Sequence, residues 1–180
     1  MYINTDTSAY PISEQEIRAA HPNTSFPVPF APPEGYAWVF PAPQPAYNAI
    51  THAVREAAPE LTSLGVWEQR WETVALPPDV VAANQAAQAE RVRVEVVFNT
   101  QKRLDTFAQT RNYDGILSLC TYATSPTAKF AAEGQYGVAA RDATWAKLYE
   151  ILAEVQAGTR PMPSGFADVE PELPALVWPN

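Results

Sequence analysis

Few residues in this chain could make or break a bond. It holds one cysteine, Cys120, and two histidines, His21 and His52, in 180 residues. A thiol nucleophile wants a basic partner. Cys120 lies instead between Leu119 and Thr121 in an apolar run, the setting of a buried structural thiol. A lone cysteine leaves no internal disulfide. Two histidines and one cysteine make a nitrogen-and-sulfur metal site improbable, and no glycine-containing loop carries the spaced carboxylates of a calcium site. The seven glycines are scattered. Neither G-x-x-x-x-G-K nor G-x-G-x-x-G occurs, and there is no G-x-S-x-G elbow. Asp168 and Glu170 fall in a proline-rich stretch, a poor place for a shaped pocket. A ligand-binding domain would need a deep pocket with convergent polar groups, and the sequence names none. The expectation is a protein that is not an enzyme and takes no cofactor or metal.

What remains is the chemistry of recognition, carried by aromatic side chains. Tyr36, Trp38 and Phe40 alternate along Tyr36-Ala-Trp-Val-Phe40, and Trp67 and Trp71 along Trp67-Glu-Gln-Arg-Trp71. Trp178 stands near the C-terminus in Leu-Val-Trp-Pro. Aromatics dominate the energetics of protein interfaces. They equally make the core of small sheets, and for Trp67 and Trp71 that is the more ordinary reading. These six residues are the ones expected to meet a partner.

The elements that position them can be read from punctuation and periodicity. Ser13-Glu14-Gln15-Glu16 fits a capping box that opens a short helix to about Ala20, stopped by Pro22. Prolines at 22, 27, 29, 32 and 33 force an extended arm in which Phe26, Val28 and Phe30 are spaced to lie over the chain's own core. Residues 36–40, 50–57 and 66–76 read as three strands, with Pro59 to Gly65 holding a turn, and together predict a small antiparallel meander.

From Pro77 to Arg111 no glycine or proline follows the opening Pro77-Pro78, which suits the first turn of a long helix. Val80, Ala87, Val94 and Ala108 share one seven-residue position, and Ala83, Val97 and Leu104 the position three later. This is an ordinary core stripe or a short coiled-coil seam. Ile116 to Cys120 predicts a short buried helix. Thr124-Ser125-Pro126 reads as the cap and first position of a last helix that runs from Pro126 to Ala157, with Gly158 as its C-terminal cap. Trp145, Leu148, Tyr149, Leu152 and Val155 give that helix its apolar stripe. Gly134 and Gly137 suggest a bend or close approach to the first long helix. The predicted fold class is α+β: residues 1–76 an extended arm and small sheet, 77–158 a helical hairpin or bundle, and 159–180 a proline-rich extended tail. Leu176, Val177 and Trp178 are expected to dock, on the helices or on a partner chain.

Composition narrows the partners. Net charge is −8, with an isoelectric point near 4.7 and no basic stripe, which argues against nucleic acid. No apolar run reaches the ~18 residues of a membrane helix. Met1 to Asp6 lacks the charged and apolar regions of a signal peptide, so the expected place of synthesis and first folding is a cytoplasm.

In order and content the chain resembles tail fibre assembly proteins and related tail-associated proteins of bacteriophages and prophages. The resemblance rests on Pro32-Pro-Glu-Gly-Tyr-Ala-Trp-Val-Phe40, on Trp67-Glu-Gln-Arg-Trp71, and on the long polar helix after Pro78. It also rests on Trp145-Ala-Lys-Leu-Tyr149-Glu-Ile-Leu-Ala-Glu-Val155 and the closing Pro-Ala-Leu-Val-Trp178-Pro179. Residues 112–135 also resemble a C-terminal module of several phage tail proteins of unassigned role. The resemblance implies no catalysis. It implies binding to a trimeric tail fibre or another tail protein, in the host cytoplasm during assembly, with some members staying on the virion. It also allows a homotrimer.

Overall fold

The computed structural model describes residues 1–179, and the fold is α+β. The chain divides into two compact units, one of residues 1–84 and one from Gln85 onward.

In the first unit β1 (Tyr2–Asn4), β2 (Tyr36–Phe40), β3 (His52–Leu61) and β4 (Trp67–Ala75) form one sheet in the order β1-β2-β4-β3. Only β3 and β4 make the expected hairpin. β2 lies parallel to β4, so the simple antiparallel meander gives way to a crossing connection. The prolines at 41, 43 and 45 keep that connection extended as it passes over β4. There the Ala42 N–H donates to Gln69 Oε1 at 3.2 Å, and Trp71 Nε1–H donates to the Ala42 carbonyl at 2.8 Å. β1 was not readable, because three residues carry too little alternation. β3 runs past its predicted end to Leu61, and a register shift between Ala57 and Glu60 accommodates Pro59 within the strand.

The helix α1 (Glu14–Ala20) carries the predicted capping box: Ser13 Oγ accepts from the Glu16 N–H at 3.2 Å, and Glu16 Oε2 from the Ser13 N–H at 2.7 Å. It buries Ile17 completely. Tyr2, Ile3, Val39 and Pro59 are also buried in this unit.

The long helix α2 (Pro78–Gln109) opens as predicted, with Asp79 in its first turn. Its buried stripe keeps Leu104 and Ala108 of the predicted seam and replaces the rest. Val92, Val96, Thr100, Leu104 and Ala108 face inward in steps of four, while Val94 and Val97 are 53% and 38% exposed. Steps of four rotate the stripe by about 40° each. The helix can therefore present Val92 and Val96 to one set of neighbours and Leu104 and Ala108 to another. The first set holds Leu148, Ile151, Val169 and Leu173; the second holds Ile116 and Leu119. A straight heptad seam would serve only one partner.

The short helix α3 (Ile116–Thr121) forms where predicted. The last helix, α4 (Ala128–Gln156), starts two residues later than the Pro126 start expected, because Tyr122–Thr124 close a 3-10 turn and Ser125 Oγ takes the Thr127 N–H at 3.2 Å. It ends as predicted. Gly158 adopts φ +70°, and the Thr159 and Gly158 N–H groups return to the Glu154 and Val155 carbonyls at 3.0 and 3.1 Å.

Gly134 and Gly137 do allow a close approach, but to α3 and the turn after it rather than to α2. A Cβ on Gly134 would lie 2.3 Å from the Ala123 amide nitrogen, and one on Gly137 2.7 Å from Leu119 Cγ. The tail is not extended throughout. Phe166–Asp168 and Glu170–Glu172 form two 3-10 turns, with Val169 and Leu173 buried in the core of the second unit.

Candidate functional site

The six aromatic residues expected to meet a partner lie in three places. Cross-strand partners share a sheet face, and Val39 pairs with Trp67 while Phe40 pairs with Glu68. Tyr36, Trp38 and Phe40 therefore point to one side of the sheet, Trp67 and Trp71 to the other. The second side is covered by the crossing segment, and both tryptophans are half-buried there. This favours their reading as sheet core.

The first side stays open. Trp38 and Phe40 are 44% and 50% exposed. A chain of aromatic contacts holds Trp38 in place: Tyr2 meets it edge-on at 5.1 Å, Phe30 meets Tyr2 at 5.5 Å, and Phe26 meets Phe30 at 5.2 Å. The Arg18 guanidinium lies over both phenylalanines, at 5.0 and 4.7 Å. Tyr36, also half-buried, meets the His21 ring edge-on at 5.7 Å. The proline arm thus lies against its own sheet and presents a rigid aromatic edge.

Trp178 docks on its own chain. Its ring stacks on Phe107 at 4.2 Å under the Arg111 guanidinium at 4.5 Å, and its Nε1–H donates to Thr110 Oγ1 at 2.9 Å. The Val177 N–H donates to the Tyr136 hydroxyl at 2.7 Å, and Arg103 Nη2 to the Pro174 carbonyl at 2.8 Å. The predicted docking is therefore met within the second unit by Leu176 and Trp178, while the Val177 side chain is 68% exposed and only its N–H is held.

The apolar stripe of α4 has a different place from the one expected. Leu148 is buried, but Tyr149 and Leu152 are 67% and 37% exposed. Trp145, Tyr149, Leu152 and Val155 line an open groove of about 810 Å³, together with Met162 and Pro163.

The sequence also missed a polar centre. Glu133 is only 3% exposed, yet it is charged and paired: Arg111 bonds one carboxylate oxygen and the Tyr113 hydroxyl donates to the other at 2.6 Å. Burial pushes the Glu133 carboxyl up, but the Tyr113 hydrogen bond and Arg111 outweigh it, leaving the group below its ordinary value. Burial, then the Glu133 hydrogen bond, pushes the Tyr113 phenol up to about 12. A cavity of about 940 Å³ opens beside these groups. The signal for it was an acidic residue directly before Gly134, on the helix face that must accept α3.

Cys120 is half-buried rather than fully buried, and burial raises its thiol pKa, away from the thiolate a nucleophile needs. His52 Nδ1 lies 2.8 Å from Thr51 Oγ1. Among the described residues no three His, Cys, Asp or Glu side chains converge to hold a metal, and no helix is long and apolar enough to cross a membrane.

Comparison with family models, with curated proteins and with solved structures finds no match for this chain.

Proposed function

We propose that this chain is a non-catalytic bacteriophage tail protein. In this reading it binds the tail fibre during assembly as a chaperone or distal cap, working through shaped aromatic surface. The observation that carries the binding part is the open face of β2, where Phe40 stays half-exposed beside Trp38, whose ring is held by Tyr2 and, through it, by Phe30 and Phe26. Rigid aromatics held this way lose little side-chain entropy on binding, which is what an interface anchor requires. The apolar groove along α4 adds a second docking surface. The tail assignment itself rests on the resemblance of the segments around Tyr36–Phe40, Trp67–Trp71 and Trp145–Val155.

Coexpression with a tail fibre encoded in the same genome tests the reading. Fibre solubility and trimerisation should rise with the wild-type chain and fall back with a Trp38→Ala, Phe40→Ala double variant. Fibre that trimerises equally well without the protein defeats the proposal. A permanent place in the baseplate or fibre attachment is the second reading, and mass spectrometry of purified particles separates the two. Fixed stoichiometric copies per virion favour the structural part, and absence from particles favours the chaperone.

A further inference from the structure

The cavity beside Glu133 is unused by the docking surfaces above. Two of its rings are open to solvent, Tyr122 and Phe130, at 39% and 40% exposure. Tyr113 meets Tyr122 edge-on at 5.3 Å and 67°, and Tyr122 meets Phe130 at 5.8 Å and 68°. Rings set edge to face leave no parallel slot for a flat heterocycle; each offers a single face. A pyranose ring needs only that, one aromatic face against its axial C–H bonds.

The polar groups fit the same class of ligand. Both Glu133 oxygens are already engaged, so this residue positions its neighbours rather than touching a ligand. The Tyr113 hydroxyl spends its hydrogen on Glu133 and keeps a lone pair for a hydroxyl donor. Arg111 is 35% exposed and has more N–H groups than its bonded partner uses. The Asn112 amide, exposed on the same wall, both donates and accepts. Lys129 joins no ion pair among the described residues. Arg111 and Lys129 against Glu133 leave the wall with net positive charge in a chain of net charge −8.

We infer that this cavity binds an acidic monosaccharide. Its ring face lies on Phe130, its hydroxyls bond Tyr113, Asn112 and Arg111, and its carboxylate meets Lys129. An apolar ligand would strand the polar wall, and a neutral sugar would leave Lys129 unmatched.

Saturation-transfer NMR and titration of the full chain with D-glucuronate, D-glucose and benzoate test the assignment. Glucuronate should bind in the millimolar range, and glucose about fivefold more weakly, the worth of one exposed ion pair. Benzoate should bind more weakly than either sugar. Lys129→Ala should bring glucuronate down to the level of glucose. Phe130→Ala should weaken both sugars by about tenfold, one stacking contact. Both side chains are exposed, so unchanged near-ultraviolet circular dichroism will show that the variants fold. The inference is overturned if glucuronate gives no transfer, if benzoate binds as well as glucuronate, or if neither substitution changes the affinities.

Discussion

The two units treat tryptophan in opposite ways. In the first, Trp38 is gripped along one edge by Tyr2 and left open on the other. In the second, Trp178 is enclosed by Phe107 below, Arg111 above and Thr110 at its nitrogen. Their interiors differ in the same sense. Among the described residues, five apolar side chains are buried in the first unit and eleven in the second. A unit with so little interior leans on aromatic edges, prolines and backbone pairing for its shape. It can leave aromatic surface exposed only because that surface is rigidly mounted. The second unit uses Trp178 and Phe107 to fasten its own tail, and its exposed groove mixes aliphatic Leu152 and Val155 with Trp145 and Tyr149.

The sharpest way to break this contrast is at Gly134. Alanine there is the better helix former, by up to ~1 kcal/mol. Its Cβ, however, would sit 2.3 Å from the Ala123 nitrogen and 2.4 Å from the Tyr122 carbonyl carbon, and backbone cannot rotate away as a side chain can. Gly134→Ala should therefore destabilise the protein by about 3 kcal/mol. Gly137→Ala meets the Leu119 side chain, which can shift, and should cost about 1 kcal/mol. Urea unfolding checks both, and an equal cost for the two would show that α3 is loosely seated.

Next come the tryptophans themselves. Trp178→Ala removes a stacked, hydrogen-bonded ring and should cost about 3 kcal/mol. Trp38→Ala removes a ring that is 44% exposed and should cost less than about 1 kcal/mol. Partner binding should rank the other way, with Trp38→Ala the damaging change. Equal losses of stability would erase the distinction between anchor and staple.

How legible this was depended on range. Local signals read correctly: the Ser13 capping box, the opening of α2 at Pro78, the Gly158 termination and α3 between residues 116 and 121 each follow from neighbouring residues. Signals that depend on the partner read poorly. The seam through Val80, Val94 and Val97 and the stripe through Tyr149 and Leu152 are valid helical periodicities, but which of two stripes turns inward is decided by distant segments. Val169 and Leu173 select Val92 and Val96; α3 selects Leu104 and Ala108. The parallel pairing of β2 with β4 was hidden for the same reason, since the connection that produces it is fixed by Trp71 and Gln69, well downstream. Trp178 was expected both to dock and to meet a partner, and only geometry could show that its own helices already hold it.

A pH series separates the units by a smaller margin. Because the Glu133 pKa is depressed in the folded state, its contribution is full above the ordinary 4.5 and is lost as pH falls through the lower folded value. Glu133→Gln should cost about 2 kcal/mol at neutral pH, less than breaking a fully buried pair because Arg111 is partly solvated, and should flatten the acid limb. On the alkaline side, burial and then the hydrogen bonds they donate to Glu133 and Glu56 hold Tyr113 and Tyr10 near 12, one in each unit. A tyrosine whose folded pKa is raised contributes stability that is intact below pH 10 and lost between 10 and 12. Ultraviolet titration of the eight tyrosines should show Tyr2, Tyr10 and Tyr113 late, and Glu133→Gln should lower Tyr113 alone among them.

The smallest test compares helix starts. Ser13 bonds the first turn of α1 and is bonded back by Glu16, whereas Thr127, at the same position on α4, makes no side-chain bond. Ser13→Ala should cost about 1 kcal/mol, the usual worth of an N-cap. Thr127→Ala should stay within about 0.5 kcal/mol. The asymmetry has a physical basis. α1 is seven residues long and cannot hold itself together, so its cap and the burial of Ile17 are most of what keeps it folded. α4 is 29 residues long and fastened along its length by α3, α2 and the tail, so its first turn can fray at little cost. Thermal melting of the two variants decides it. A Thr127→Ala loss as large as that of Ser13→Ala would mean the start of α4 is as dependent on its cap as the short helix is.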